Sequence, residues 1–277
     1  MDKPTVSVCM IAYNHGAYIA EAIAGVLMQK TNFTVEVVIS NDASSDNTQN
    51  IINELAVDTE TIKFRVFDHT DNLGMMPNFI FTLKACRGKY IALCEGDDYW
   101  TDPLKLQKQV DFLEANRKYA GCFHNTDMID ESDPTSQLKP WRTFNKEVFT
   151  LRDTIAKTSL FHTSSFVFRT ELLEIPDWFK KIQSGDMALF SIIASKGPLF
   201  RIDDAMSVYR KNEGGITSSI SLINYHDKRK LLFKFLKSYC TNEVHSEIDI
   251  IIAHHTQKLK KLKKSALKER IKNLLKN

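Results

Sequence analysis

The first 125 residues alternate short runs of β-branched and other apolar residues with segments whose apolar residues recur at the helical period. The apolar runs predict strands, and the segments between them predict helices. The predicted strands are residues 5–12, 35–40, 62–67, 90–94 and 121–124, and the predicted helices are residues 17–28, 47–56, 77–85 and 103–115, the last opened by an Asp102 cap. Strands joined by crossover helices form a mainly parallel sheet with both faces covered, so we predict an α/β fold.

The composition is that of a globular protein without a membrane span. Of its 277 residues 43% are hydrophobic, and no uninterrupted apolar run reaches the ~18 residues of a spanning helix. The N-terminus Met1–Pro4 lacks the pattern of a signal peptide, so we expect the protein in the cytoplasm. The five cysteines are odd in number and lack CxxC spacing, which favours buried free thiols over disulfides or a zinc site.

Polar residues follow each of the first four predicted strands, at 12–15, 41–46, 71–74 and 95–98. Parallel α/β sheets bind ligands beside the carboxyl ends of their strands, so these segments should border one crevice. In the last segment, Glu95-Gly96-Asp97-Asp98, the carboxylates repel one another unless a cation lies between them. Side chains alternate along an extended chain, so Glu95 and Asp97 should point to one side and could hold a divalent cation with its phosphate ligands. The alternative is an acidic, solvated turn.

Four segments in order resemble motifs of the family 2 glycosyltransferases, which have a GT-A fold. They are Val6–Asn14, Val37–Thr48, Asn72–Gly74 and Gly88–Asp98, and the resemblance covers about the first 215 residues. It implies a Rossmann-like central sheet, mainly parallel and flanked by helices. No GxGxxG or Walker A loop follows a predicted strand, which disfavours dinucleotide and P-loop sites.

The resemblance implies a donor site for a nucleotide sugar in the first half of the chain. It places Ala12, Tyr13 and Asn14 around the base and ribose, and Asp42 as the acceptor of a hydrogen bond from a uracil ring, which indicates UDP. The further donor-binding residues that it implies are Glu95, Gly96, Asp97 and Arg210. Asn72 and Asn78 flank Gly74 and could bind the donor near its sugar, although an asparagine in a loop is more often a turn residue.

The resemblance also implies a divalent cofactor, Mn²⁺ or Mg²⁺. Asp97 resembles the family's metal-binding aspartate, and Glu95 stands where many relatives have aspartate. Whether Glu95 contacts the metal, the ribose or only water is therefore left open. Tyr209, Arg210 and residues 213–217 resemble the family's mobile segment that closes over the diphosphate.

The second half of the chain resembles the family's acceptor side. Asp186 precedes the apolar segment 188–194 and resembles the general base, while Gly185 replaces its usual acidic partner. As an alternative, Asp186 is only a favourable residue at a helix N-terminus. The residues implied to line the acceptor pocket are His124, His162, Ser164 and Ser165, although a single histidine near an apolar run is more often structural.

The C-terminal stretch is basic and has a helical pattern. Residues 258–277 hold nine Lys or Arg and one acid, so the rest of the chain is net acidic. We divide the chain into a catalytic domain of residues 1–222 and a helical extension of residues 223–277. The catalytic domain consists of a nucleotide-sugar-binding half, residues 1–125, and an acceptor half, residues 126–222. The extension either lies on an anionic membrane surface, at the inner face of the membrane, or packs on the body or on a second subunit in a homodimer. It lacks interleaved aromatic residues, so we predict no nucleic-acid partner.

These features together predict an inverting glycosyltransferase of polysaccharide synthesis or protein glycosylation. It would transfer a hexose or N-acetylhexosamine from a UDP-sugar to a hydroxyl of a glycan, lipid-linked or protein-linked acceptor, with a metal stabilising the UDP leaving group and Asp186 as base. One alternative is a sugar-phosphate nucleotidyltransferase, which would need a glycine-rich basic loop where residues 13–16 offer one glycine. The other is a non-catalytic binding or scaffold protein.

Overall fold

One mixed sheet runs through the part of the chain that the computed structural model describes, residues 3–212 and 220–274. Its strands are β1 (Val6–Ala12), β2 (Val35–Asn41), β3 (Ile62–Asp68), β4 (Tyr90–Leu93), β5 (Tyr99–Trp100), β6 (Gly121–Asp130), β7 (Lys139–Pro140), β8 (Val148–Phe149), β9 (Val167–Arg169) and β10 (Leu199–Lys211). The helices are α1 (Ile19–Leu27), α2 (Thr48–Leu55), α3 (Met75–Ala85), α4 (Lys105–Ala115), α5 (Leu151–Thr154), α6 (Gly185–Ala194), α7 (Leu222–Tyr239) and α8 (His245–Leu274).

The sheet is mainly parallel, which confirms the predicted fold class. Its order is β3-β2-β1-β4-β9-β6-β10-β5, with β7 added to β6 and β8 added to β10. Strands β1 to β4 are parallel to one another, and β9 is antiparallel to both of its neighbours, so β6 and β10 run in the same direction as β4. Because six strands share one direction, their carboxyl ends meet at one edge of the sheet.

All five predicted strands and all four predicted helices of the first half are present, with shifted ends. Helix α4 begins at Lys105 instead of Pro103, because Pro103 and Leu104 form a separate turn. Asp102 caps that turn, since its Oδ1 accepts a hydrogen bond from the Leu104 amide at 2.7 Å. The fifth predicted strand corresponds to β6 and extends to Asp130, six residues beyond its predicted end.

Apolar side chains fill both faces of the sheet. Along β1, Val6, Val8 and Met10 lie in one core with α1 and α4, whereas Cys9 lies in the other with α3 and α6. Burial on both faces explains why the parallel strands have nearly continuous apolar sequences. All five cysteines are buried free thiols, as predicted.

The two C-terminal helices pack on the catalytic body. Phe233 and Leu236 of α7 and Ile248 of α8 are fully buried in the core that also contains α3 and α6. Leu259 is still buried at 5% exposure, but the lysines from 260 to 268 that follow it along α8 are exposed. The division of the chain at residue 222 therefore stays a prediction, while the packing of the first part of the extension is an observed contact.

Candidate active site

A cavity of about 750 Å³ opens at the edge where the carboxyl ends of the parallel strands meet. Strand-end loops form one wall, and α6, α7 and the segment around His162 contribute the others. Ten of the residues singled out from the sequence line it: Ala12, Tyr13, Asp42, Asn72, Asn78, Glu95, Asp97, His162, Asp186 and Arg210. The fold therefore brings most of the predicted donor side, one acceptor-side histidine and the predicted base to one cavity.

Three carboxylates form an acidic cluster at the end of β4, which we define as Glu95, Asp97 and Asp98. One oxygen of each lies within 4.8 Å of the others. We expected Glu95 and Asp97 to point to one side because side chains alternate along an extended chain, and this reason was wrong. The segment is a turn, in which the Asp98 amide donates to the Glu95 carbonyl at 3.1 Å. Because the turn folds back, Asp98 also joins the pair predicted from the sequence.

The environment of the acidic cluster disfavours three negative charges. Burial, and after it the charges of Asp97 and Asp186, raises the pKa of Glu95 to about 8. The pKa of Asp98 is also raised, by burial first and then by Asp97 and Glu95, and its Oδ2 is buried without a hydrogen-bond partner. Carboxylate oxygens are the ligands that Mg²⁺ and Mn²⁺ prefer, so the acidic cluster fits a divalent cation that would offset this repulsion.

Arg210 closes the acidic cluster from β10. Its amide donates to Asp98 Oδ1 and its Nη1 donates to the Asp97 carbonyl, each at 3.2 Å. Its guanidinium also pairs with Glu21 and, at 3.0 Å from Nε, with Glu131. Arg210 thus lines the cavity as predicted, but a substrate phosphate would have to compete with two carboxylates for it. Residues 213–217, the predicted closing segment, lie outside the described residues.

Hydrogen bonds among the strand-end loops shape the predicted nucleotide side. Both oxygens of Asp42 accept backbone hydrogen bonds, from Leu73 at 2.6 Å and from Gly74 at 3.0 Å. Asn14 has a positive φ of 54°, and its Oδ1 accepts from the Ser45 amide at 2.8 Å. Asn14 therefore joins the loops after β1 and β2 and does not line the cavity, whereas Tyr13 is 48% exposed beside it.

The remaining donor-side candidates are largely held by the protein itself. Asn72 Nδ2 donates to the Asp42 carbonyl at 3.0 Å, and Asn78, only 2% exposed, exchanges hydrogen bonds with Ser40. Gly96 does not line the cavity, and a Cβ at this position would lie 2.8 Å from both His15 Nδ1 and Ile19 Cδ1. Gly96 is therefore required for close packing of the acidic turn against the end of β1.

Asp186 lies in the first turn of α6, and its side chain reaches the cavity. Its Oδ2 accepts a hydrogen bond from Ser159 Oγ at 2.5 Å. At the preceding Gly185, a Cβ would lie 2.9 Å from Met76 Sδ, so the acidic residue that the family usually has there would require the Met76 side chain to move. Since Asp186 raises the pKa of Glu95, the two carboxylates interact electrostatically within this cavity.

Only one of the four acceptor-side candidates reaches the cavity. His162 lines it, with its ring centroid 4.5 Å from that of Tyr209, and burial lowers its pKa to about 3, so its ring is neutral. His124, Ser164 and Ser165 are buried behind it. Ser164 bonds to Ser207 at 3.0 Å and Ser165 donates to the His162 carbonyl at 2.7 Å, so these residues support the wall without lining it.

Several cavity residues were not predicted. Among them are Trp141, Ser159, Tyr225, Lys228 and Arg229. Ser159 and Trp141 belong to irregular segments with no recognisable pattern. The last three lie on α7, where a helical period is visible in the sequence but the face directed at the cavity is not.

Comparison with known proteins places this geometry in a family. Residues 7–175 match the family model of glycosyl transferase family 2. An uncharacterized protein of Mycobacterium tuberculosis is 36% identical over 233 residues, which are 81% of this chain and 63% of that protein. This chain therefore spans less than two thirds of that mycobacterial relative. An uncharacterized glycosyltransferase of Haemophilus influenzae is 27% identical over 282 residues, covering 96% of this chain and 85% of the relative.

Two solved structures share the fold at low sequence identity. TarS of S. aureus, residues 1–349 in complex with UDP-GlcNAc, superposes with a TM-score of 0.68 at 18% identity, over 91% of this chain and 71% of that chain. A mannosyltransferase of Pyrobaculum calidifontis in complex with GDP-Man and Mn²⁺ gives a TM-score of 0.62 at 18% identity, over 94% of this chain and 70% of that chain. The fold of this chain is therefore the GT-A fold.

Proposed function

The chain belongs to glycosyl transferase family 2, and we propose that it transfers a hexose or N-acetylhexosamine with inversion from a UDP-sugar to a hydroxyl of a glycan, lipid-linked or protein-linked acceptor. The observation that carries this proposal is the presence of the acidic cluster and Asp186 in one cavity. A nucleoside diphosphate needs a cationic partner, and an acceptor hydroxyl needs a base, so the two groups suit the two halves of one transfer reaction.

The proposed donor side consists of the strand-end loops and the acidic cluster. Asp97 and Glu95, joined by Asp98, would hold Mn²⁺ or Mg²⁺, which when bound supplies Lewis-acid stabilisation of a departing diphosphate. Asp42 keeps free lone pairs on both oxygens, which is consistent with acceptance of a further hydrogen bond from uracil. UDP is therefore the preferred nucleotide, although one structural neighbour binds UDP-GlcNAc and the other binds GDP-Man.

The proposed acceptor side is built around Asp186. Its carboxylate would accept the proton of the attacking hydroxyl, and Ser159 orients that carboxylate by donating to Oδ2. The neutral ring of His162 would form an adjacent wall, which can hydrogen-bond a sugar hydroxyl without adding charge.

A screen of nucleotide sugars tests this proposal directly. We expect UDP-sugars with Mn²⁺ to raise the melting temperature and to be hydrolysed slowly, because a ligand that binds only the native state stabilises it. GDP-mannose in the same screen tests the nucleotide preference. Release of pyrophosphate from UTP and a sugar phosphate would instead indicate a nucleotidyltransferase, and no shift with any nucleotide would indicate a non-catalytic binding protein.

The exposed end of α8 is the proposed contact with an anionic membrane. Residues 260, 261, 263 and 264 are exposed lysines, and none of them forms an ion pair within the described part of the chain. In the described ranges no helix combines the length and apolarity that crossing a bilayer would require. Adsorption through lysines needs no span, since each lysine near an anionic surface contributes about 1 kcal/mol.

Vesicle sedimentation of the full chain tests this contact. We expect binding to vesicles that contain phosphatidylglycerol but not to pure phosphatidylcholine, and at least about tenfold weaker binding after Lys→Gln changes at 260, 261, 263 and 264. A matched control changes four exposed lysines of the body, Lys84, Lys118, Lys180 and Lys181, to Gln. Equal loss in both variants would show only a nonspecific charge effect, and a lysine-dependent dimer in sedimentation velocity would assign the tail to a second subunit.

A further inference from the structure

Two cations on α7, Lys228 and Arg229, line the cavity without a carboxylate partner. Neither forms an ion pair or a hydrogen bond among the described residues, whereas the neighbouring Lys230 pairs with Asp227 at 3.3 Å. We call Lys228 and Arg229 the α7 cations. Lys228 is exposed and Arg229 is half-buried, and the described residues offer neither of them a carboxylate, so both charges are available to an anion in the cavity.

Arg229 lines the cavity with a donor that no described residue satisfies. Its guanidinium carbon lies 5.3 Å from the ring centroid of Tyr225, another residue of the cavity wall. Its Nη1 is buried and has no hydrogen-bond partner. An oriented guanidinium with an unused donor suits bidentate binding of a phosphate or carboxylate.

Arg210 on β10 also lines the cavity, but its charge is neutralised by carboxylates of the protein. Glu21 and Glu131 neutralise Arg210, and its Nη1 is bonded to the Asp97 carbonyl. Arg210 is thus part of the protein's own charge balance beside the acidic cluster. Within the ranges 3–212 and 220–274 no carboxylate pairs with the α7 cations, which leaves their charge available to a ligand.

The cavity that the α7 cations line also holds the proposed base. Ser159, whose hydroxyl donates to Asp186, and Asp186 itself both line it. Among the described residues Asp186 forms no ion pair, so the α7 cations are not partners of that carboxylate.

We propose that Lys228 and Arg229 form a subsite for an anionic group, a phosphate or a carboxylate, on the acceptor substrate. This inference rests on the proposed function, which assigns the donor diphosphate to the acidic cluster and the acceptor to the Asp186 side. The acceptor class is then an acidic glycan or a phosphate-linked polyol or lipid, and neutral oligosaccharides are poor acceptors.

Ligand-observed NMR with matched small probes tests the subsite. Protein saturated with UDP and Mg²⁺ is mixed with glycerol 3-phosphate or with glycerol, and saturation transfer to each probe is measured. We expect transfer to glycerol 3-phosphate but not to glycerol. In the Lys228→Met, Arg229→Met double variant we expect at least about tenfold weaker binding, because charge-assisted hydrogen bonds are lost.

The controls separate this subsite from the donor site and from general charge effects. Lys234 on α7 and Lys84 on α3 are exposed and lie outside the cavity, so the Lys234→Met, Lys84→Met variant removes the same charge elsewhere. UDP affinity, measured by calorimetry, should be the same in all three proteins. Unchanged glycerol 3-phosphate binding in the α7 variant overturns the inference, and so does weakened UDP binding, which would assign the cations to the donor.

Failure of the proposed function has a different signature. If the wild-type protein does not bind UDP, the donor assignment fails, and the same probes are then applied without nucleotide. Binding of glycerol 3-phosphate that depends on the α7 cations would still support an anion subsite, and absence of binding to the wild type would overturn it.

Discussion

Replacing Asp97 by Asn is expected to lower UDP-sugar turnover by at least about a hundredfold, because it removes a charged oxygen ligand from the acidic cluster. The amide is close to isosteric with the carboxylate, so the turn from Glu95 to Asp98 should persist through its backbone hydrogen bond. The measurement is the initial rate of donor hydrolysis or transfer at saturating Mn²⁺.

A second readout separates metal binding from activity. Mn²⁺ titration followed by electron paramagnetic resonance should show at least about tenfold weaker binding in D97N, since even residues behind the ligands affect metal affinity by such factors. Asp111 is an exposed aspartate of α4 whose carboxylate contacts Gln107, and D111N is the matched control. Wild-type turnover and Mn²⁺ affinity in D97N would remove Asp97 from the metal site.

The first half of the fold could be predicted because each central strand is buried on both faces. Such strands are nearly continuous apolar runs bounded by polar residues, as in Tyr90–Leu93, where every residue is apolar and buried. Strand β10 was missed because Asp203 and Asp204 interrupt it, and its register against β6 shifts at that point. The sequence shows the polar residues but not the neighbouring strand that accommodates the irregularity.

The site was predictable to a similar degree and for a similar reason. Glu95 and Asp97 follow strand β4, so the sheet topology directs them to the edge where the cavity opens, whereas Asp186 in the first turn of α6 was predicted from the resemblance to the family. Asp98 was left out because its participation depends on a turn that alternation does not anticipate. Asn14, His124, Ser164 and Ser165 lie next to the site along the chain, but their side chains are engaged within the protein, which only three-dimensional packing reveals.

Replacing Asp186 by Asn is expected to reduce glycosyl transfer by about a thousandfold while leaving UDP affinity unchanged. A general base contributes roughly 10²- to 10⁴-fold, and an amide cannot accept the proton of the acceptor hydroxyl. Asn can still accept the hydrogen bond from Ser159 Oγ, so the local geometry should be retained. The measurements are single-turnover transfer and calorimetry with UDP.

The same variant separates catalysis from the alternative role of Asp186 in stabilising α6. Asp186 lies in the first turn of that helix, where loss of a negative charge costs about 0.3–1 kcal/mol of stability at an exposed site. A residue with only that role would lower the melting temperature slightly and leave the rate intact. Ser159→Ala provides the graded comparison: it keeps the base but removes its hydrogen-bond donor, so we expect about a tenfold loss of rate. A wild-type rate in D186N would exclude Asp186 as the base. Lost UDP affinity would instead assign Asp186 to the donor side, because a base that contacts only the acceptor hydroxyl does not bind the nucleotide.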